Sequence, residues 1–302
     1  MYADQAYKEA QKNDYQKAIA DYTEAIRLKP DTPGFYYSRG EVYWSLKQYG
    51  NAASDLTKAI QIKPSPEAYY VRGLIYVALR QYDQAVSDLT DAIQIKPDAA
   101  LAYYQRGLIY LILKQYDKGM NDFTSAIQFK PDLAEPHYDR GNLLYFMKQY
   151  DKAVGDLSEA IRLKPNYLAA YQVRGNSFMY LKQYDKAVND FTEAIRLKPD
   201  VPEMYYNRGT SFLNLKQDDE AINDLSRAIQ LKGDYLDAYD NRGLAYLESK
   251  RYANALADFT NAIQLKEDPK FYRNRAATWE AAGQHANALQ DTQQADQLER
   301  TR

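Results

Sequence analysis

Residues 171–200 read YQVRGNSFMYLKQYDKAVNDFTEAIRLKPD, and close relatives of this stretch return along the whole chain. Gly175 serves as origin. The same Arg-Gly step recurs at Gly40, Gly73, Gly107, Gly141, Gly209 and Gly243, and Arg275-Ala276 closes the series, at intervals of 33 or 34 residues. One step back from Gly40 falls on Ala6, so the 302 residues divide into nine units.

Within a unit the bulky and small residues hold fixed places. Four before the glycine stands a ring such as Tyr69, Tyr103 or Tyr171, with His137 as substitute. Three after it come Tyr76, Tyr110, Phe178 and their equivalents. A small residue follows at plus twelve (Ala85, Gly119, Ala187), Leu or Phe at plus sixteen, and alanine at plus nineteen. Spacings of three and four define one face of a helix, so each unit contains two amphipathic helices. A Lys-Gln-Tyr-Asp turn separates the two, Lys-Pro-Asp separates units, and Pro33, Pro66, Pro202 and Pro269 are predicted to start first helices, where proline loses no needed donor.

This 34-residue pattern resembles the tetratricopeptide repeat over the whole chain. The resemblance implies an all-α fold: a right-handed α–α superhelix, a solenoid of nine helix-turn-helix repeats, its concave face lined by the first helix of each. Residues 1–302 are read as one array. Repeat 1 is read as truncated at its N-terminus, with Lys8 and Glu9 replacing apolar residues. Repeat 9, about residues 269–302, is read as a C-terminal cap because Thr292 and Asp296 stand where Phe259 and Ile263 stand one unit earlier.

The arginine before each glycine sits beside the core stripe and needs an acceptor. An aspartate recurs fifteen residues after the glycine, as in Asp55, Asp88, Asp122 and Asp190, which predicts an Arg-Asp ladder rather than an anion-binding row.

Residues 107–116, GLIYLILKQY, hold more large apolar groups than one buried face absorbs. Leu108, Leu111 and Ile112 are the surplus. The same places give Leu74 and Val77 before them, Tyr145, Phe146, Met179 and Tyr180 after them, and Trp44 at the near end. The resemblance places these offsets in the groove, which suits an amphipathic helix or an extended segment with apolar anchors. Asn142, Asn176 and Asn207 are candidate donors to a ligand backbone. The expected role is a non-enzymatic scaffold for a protein or peptide partner. The alternative is a self-associating element, a homodimer, or a fragment of a larger protein whose own chain fills the groove.

Other functions find little support. The family's co-chaperones grip acidic C-terminal tails with a clamp of lysines, asparagines and an arginine. Here Asn176 and Asn207 match it while Gln172, Asp237 and Asn241 occupy its cation places; one window further along, Asn241 and Lys270 match but Tyr206, Thr210 and Asn274 do not. A net charge of −2 offers no basic field, so nucleic acid is not expected despite 30 tyrosines. Cysteine is absent, excluding thiolate chemistry. The two histidines, His137 and His285, replace tyrosines and are expected to be packing residues. Neither cofactor, metal site nor direct membrane insertion is expected. The absence of a leader or an Asn-x-Ser/Thr acceptor suggests the cytoplasm, while the N-terminus reads as a possible cut.

Overall fold

The computed structural model describes residues 2–300, all of them in helices and the turns that join them. The first unit, up to Arg140, contains α1 (Tyr2–Gln11), α2 (Tyr15–Leu28), α3 (Pro33–Ser45), α4 (Tyr49–Ile62), α5 (Pro66–Ala78), α6 (Tyr82–Ile95), α7 (Ala100–Ile112), α8 (Tyr116–Phe129) and the start of α9 (Ala134–Phe146). The second, from Gly141, contains the rest of α9, then α10 (Tyr150–Leu163), α11 (Leu168–Tyr180), α12 (Tyr184–Leu197), α13 (Pro202–Asn214), α14 (Asp218–Leu231), α15 (Leu236–Glu248), α16 (Tyr252–Leu265), α17 (Pro269–Ala281) and α18 (His285–Arg300). Odd-numbered helices are the first of each repeat and even-numbered ones the second. Pro33, Pro66, Pro202 and Pro269 open α3, α5, α13 and α17 as their positions predict.

The helices of a pair approach closely at the glycines. A methyl group on Gly107 would lie 2.7 Å from the edge of Phe123, and one on Gly73 would lie 3.1 Å from Leu89. Phe123, Leu89 and their equivalents Leu56, Leu157, Phe191, Leu225 and Phe259 are fully buried. Each of the seven repeats that carry this glycine thus places one large side chain into the gap it opens.

The turn inside each repeat has a feature the periodicity did not show. One residue of it lies in the left-handed region: Asn13, Lys47, Arg80, Lys114, Lys148, Lys182, Lys216 and Lys250 at φ 58–62°, and Gly283 at 75°. Around Lys114 the Gln115 N–H donates to the Tyr110 carbonyl at 2.8 Å and the Lys114 N–H to the Leu111 carbonyl at 3.0 Å, a reciprocal cap on α7. A side chain in that conformation is strained, and only the last repeat uses glycine to relieve it. Lys114→Gly is therefore expected to stabilise the fold by about 1 kcal/mol. A urea midpoint that stays put or falls would contradict this.

The two ends differ from the bland polar caps expected. Glu9, in α1, is buried at 5% exposure and accepts from Lys17 Nζ at 3.1 Å and Gln5 Nε2 at 2.5 Å. In repeat 9 Arg273 bridges Asp296 and Glu299 at 3.0 and 2.8 Å, so the polar residues of α18 tie back to α17. Among the described residues no helix is long and apolar enough to cross a membrane.

Candidate partner-binding surface

The recurring arginines are not a ligand row. In the first unit Arg39, Arg72 and Arg106 each donate through Nε and Nη2 to both oxygens of Asp55, Asp88 and Asp122, at 2.7–2.8 Å. The second unit repeats this with Arg174 and Asp190, Arg208 and Asp224, Arg242 and Asp258, and Arg275 and Asp291. A third contact was missed in the sequence. Arginine Nη1 donates to a hydroxyl on the preceding repeat: Thr23, Thr57 and Thr90 in the first unit, Ser158, Thr192, Ser226 and Thr260 in the second, at 2.8–3.0 Å. These side chains recur seventeen residues after each glycine, so the signal was present. Only the packing shows that it serves the next repeat's arginine. A tyrosine face completes the enclosure, as where Tyr103 lies 5.6 Å below the Arg106 guanidinium. Each repeat spends its arginine within the fold.

The candidate partner-binding residues all lie on the first helices. In the first unit Ile112 is 53% exposed, while Trp44, Leu74, Val77, Leu108 and Leu111 are half-buried. Three of these fall short of the open groove lining expected of them. Trp44 packs on the cluster around Leu56 and Ile75, and Val77 on the cluster around Leu89 and Ile109. Leu111 leans into the hollow at Gly119, its Cδ2 3.2 Å from where a methyl there would sit. Each fills space between helices and shows only its outer edge.

In the second unit Phe146 and Tyr180 are 71% and 61% exposed. Tyr145, Asn176, Met179, Tyr180 and Asn207 come together around one cleft of about 450 Å³, joined by Tyr184 and Asn214. Asn142 and Phe146 are not part of its lining. One wall is aromatic: Tyr145 lies 5.9 Å from Tyr180, which also stacks on Tyr150, outside the lining, with centroids 4.6 Å apart at 3°. Burial, reinforced by the Tyr180 and Tyr150 hydroxyls, pushes the Tyr145 phenol up to about 12, so it keeps its proton and remains a donor at neutral pH. The Asn207 amide donates to Asn176 Oδ1 at 3.1 Å, which aligns the two amides and leaves the Asn176 N–H groups and the Asn207 carbonyl outside that bond. Met179 packs half into the core beside Phe178 and Phe191.

A further row went unread in the sequence. Three residues before the glycine stand Tyr37, Tyr70, Tyr104, Tyr138 and Tyr206, on the same helices as the rings already noted, with Gln172 interrupting the row. Tyr37 and Tyr70 line a second cleft of about 450 Å³ in the first unit, with Leu101 and Phe129. The row breaks again at Asp240, whose buried side chain holds Lys270 Nζ at 2.6 Å and accepts from Asn274 at 2.7 Å. Asn241 donates to Thr210 Oγ1 at 2.9 Å. The two residues that match the acidic-tail clamp in this window are therefore engaged within the fold.

The histidines divide. His137 is buried, with Nε2 3.1 Å from the Pro131 carbonyl, as a packing residue should be. His285 is instead exposed, with Nδ1 2.7 Å from Glu280, at a place where Tyr116 in an earlier repeat is also exposed.

Comparison with known proteins agrees with this architecture. A family model described as TPR repeat matches residues 6–47, 73–113 and 175–216. Two models described as tetratricopeptide repeat match residues 134–167, and residues 33–66, 100–133, 202–235 and 236–269. The chain belongs to the tetratricopeptide repeat family. Over 61 residues it is 41% identical to small glutamine-rich tetratricopeptide repeat-containing protein 2 of Saccharomyces cerevisiae, a match spanning 20% of this chain and 18% of that protein. Among solved structures, YrrB, a TPR protein with an unusual peptide-binding site, is 24% identical with a TM-score of 0.52, covering 57% of this chain and 90% of its own. The C-terminal part of a TPR repeat-containing protein from Cytophaga hutchinsonii is 18% identical with a TM-score of 0.58, covering 89% and 97%. At these identities the structural likenesses speak to the tetratricopeptide fold alone. Proteins of the tetratricopeptide repeat family generally mediate protein–protein interactions, and nothing in this member's residues points to catalysis.

Proposed function

We propose that this protein is a non-enzymatic scaffold whose first-helix faces hold a peptide or helix of a partner through apolar anchors. The observation that carries the reading is the cleft at Tyr145, Asn176, Met179, Tyr180 and Asn207. It joins an aromatic wall and a thioether to amide groups that can bond a peptide backbone, the mixture that peptide sites use to gain area and fix register. Further contacts come from Asn142 and Phe146 in the second unit and, within the first unit, from Trp44, Leu74, Val77, Leu108, Leu111 and Ile112 on its own first helices.

Peptides selected for binding from a random displayed library test this. Met179→Glu places a charge on the apolar wall and is expected to weaken the selected peptides about 100-fold, close to 2.7 kcal/mol. Unchanged affinity in Met179→Glu, or failure of the library to yield any binder, would sink the proposal. A wild-type dimer on a native mass spectrum that Leu111→Glu converts to monomer would favour self-association instead.

A further inference from the structure

The first helices of the N-terminal unit from α3 onward carry an unbalanced set of charges. On α3, α5, α7 and α9 up to Arg140, the cations are Arg39, Arg72, Arg106 and Arg140. The first three are committed to Asp55, Asp88 and Asp122, and Arg140 Nη1 donates to Thr124 at 3.1 Å. Every other charged residue on these helices is a carboxylate: Glu41, Glu67, Glu135 and Asp139. Lys96 and Lys130, which cap α6 and α8, line the first-unit cleft together with Tyr37, Glu67 and Tyr70, and Lys63, which caps α4, lines the adjoining hollow with Glu67, but among the described residues none of the three forms an ion pair with Glu67.

These acids are interleaved with rings and apolar groups. Tyr37 feels both Glu41 and Glu67, and burial with those carboxylates pushes its phenol up to about 12. The Tyr104 hydroxyl donates to Asp139 Oδ2 at 2.7 Å, and burial holds the Asp139 carboxyl above its ordinary range. Between them lie Leu74, Leu108 and the exposed Ile112. A neutral apolar ligand would desolvate these carboxylates without compensating them, and an acidic one would be repelled. A Lys or Arg side chain can lay its stem along a tyrosine ring and set its charge on a carboxylate.

We propose that the first-helix face of the N-terminal unit takes a cationic amphipathic segment, one in which Lys or Arg alternates with large apolar side chains. This rests on the scaffold reading and specifies the partner's chemistry. Arginines of the fold occupy their own aspartates, so the ligand supplies the cations that Glu41, Glu67 and Asp139 accept.

The test uses the whole chain and three fluorescein-labelled amphipathic helices that share one leucine stripe and differ only in a Lys, Gln or Glu polar face. Fluorescence anisotropy is expected to show the Lys peptide binding at least about tenfold more tightly than the Gln peptide, and the Glu peptide weakest. The gap should close as salt rises toward about 1 M, where screening acts within roughly 3 Å. The triple variant Glu41→Gln, Glu67→Gln, Asp139→Asn should erase the preference and leave the Gln peptide unchanged. Neutralising the exposed second-helix and loop acids Asp83, Asp117 and Asp132 should retain it. Equal binding of the three peptides, or a preference that follows the control acids, overturns the charge assignment and leaves the scaffold reading standing. Binding of none of the peptides, together with no hit from the library, overturns both. Self-association that disappears in the triple variant would mean a second copy occupies the face and would also overturn the assignment.

Discussion

Asp122→Ala is expected to destabilise the N-terminal unit by about 3 kcal/mol, at the lower end of the range for breaking a buried ion pair because the Arg106 side chain keeps 15% exposure. Asp122 is 5% exposed and takes two of the five guanidinium N–H groups at 2.8 Å. Thr90 takes a third, and the Tyr103 face covers the cation. Without the carboxylate, a largely enclosed charge has one hydroxyl and a ring to replace its hydration, and the helix pair must open to water or strain. The paired replacement Arg106→Leu with Asp122→Leu leaves no orphan and is expected to be near neutral or stabilising, since the attraction only offsets the desolvation of both groups. Denaturation read by both circular dichroism and hydrogen exchange at α7 and α8 separates local from whole-chain unfolding, which a repeat array need not couple. Equal losses for the single and paired variants would show that the ladder contributes stability outright.

Phe191→Ala is expected to cost about 3–5 kcal/mol in the second unit. The ring is fully buried, and its edge reaches to 3.0 Å from where a methyl on Gly175 would lie. Truncation empties the gap between α11 and α12, and helices held apart by Tyr171, Met179 and Met204 cannot close it. Phe191→Leu should cost far less, because repeats built on Gly40, Gly73, Gly141 and Gly209 close the same gap with Leu56, Leu89, Leu157 and Leu225. A loss under about 1 kcal/mol for Phe191→Ala would mean that the pair can collapse and that the glycine does not set the helix spacing. Calorimetry and urea titration of the same variants decide the point.

The parts of this structure that could be read from sequence are those that repeat and depend on near neighbours. The glycine and its partner at plus sixteen, the proline starts and the Arg-Asp pairing all recur on adjacent helices, and each satisfies a local requirement of packing or charge. Left-handed Lys114 was not legible because lysine has no preference for that region; the requirement comes from closing a short turn between helices of fixed separation. Thr90 as a partner of Arg106 needed the relative placement of successive repeats. The tyrosines at Tyr37, Tyr70 and Tyr104 were legible in principle, since they recur at one place in successive repeats, up to the interruption at Gln172. They were passed over because a ring beside a core stripe reads as more core.

The candidate surface was legible as a face and less so as individual contacts. Ile112, Phe146 and Tyr180 are exposed as the surplus of apolar residues implied. Trp44, Val77 and Met179 are divided between core and surface, because residues at a helix boundary stripe fill the gap toward the next helix before they reach solvent. Asn176 and Asn207 bond each other, a pairing across repeats that spacing alone does not reveal.

Photo-crosslinking reads the partner's position directly. With benzoylphenylalanine in place of Tyr180, on the cleft wall of α11, and separately in place of Lys152, exposed on the second helix α10, a selected peptide is irradiated with each protein and the adducts are sequenced. The scaffold account predicts peptide adducts from the Tyr180 position and none from Lys152. Adducts from Lys152 alone, or adducts only between copies of the protein, would contradict it.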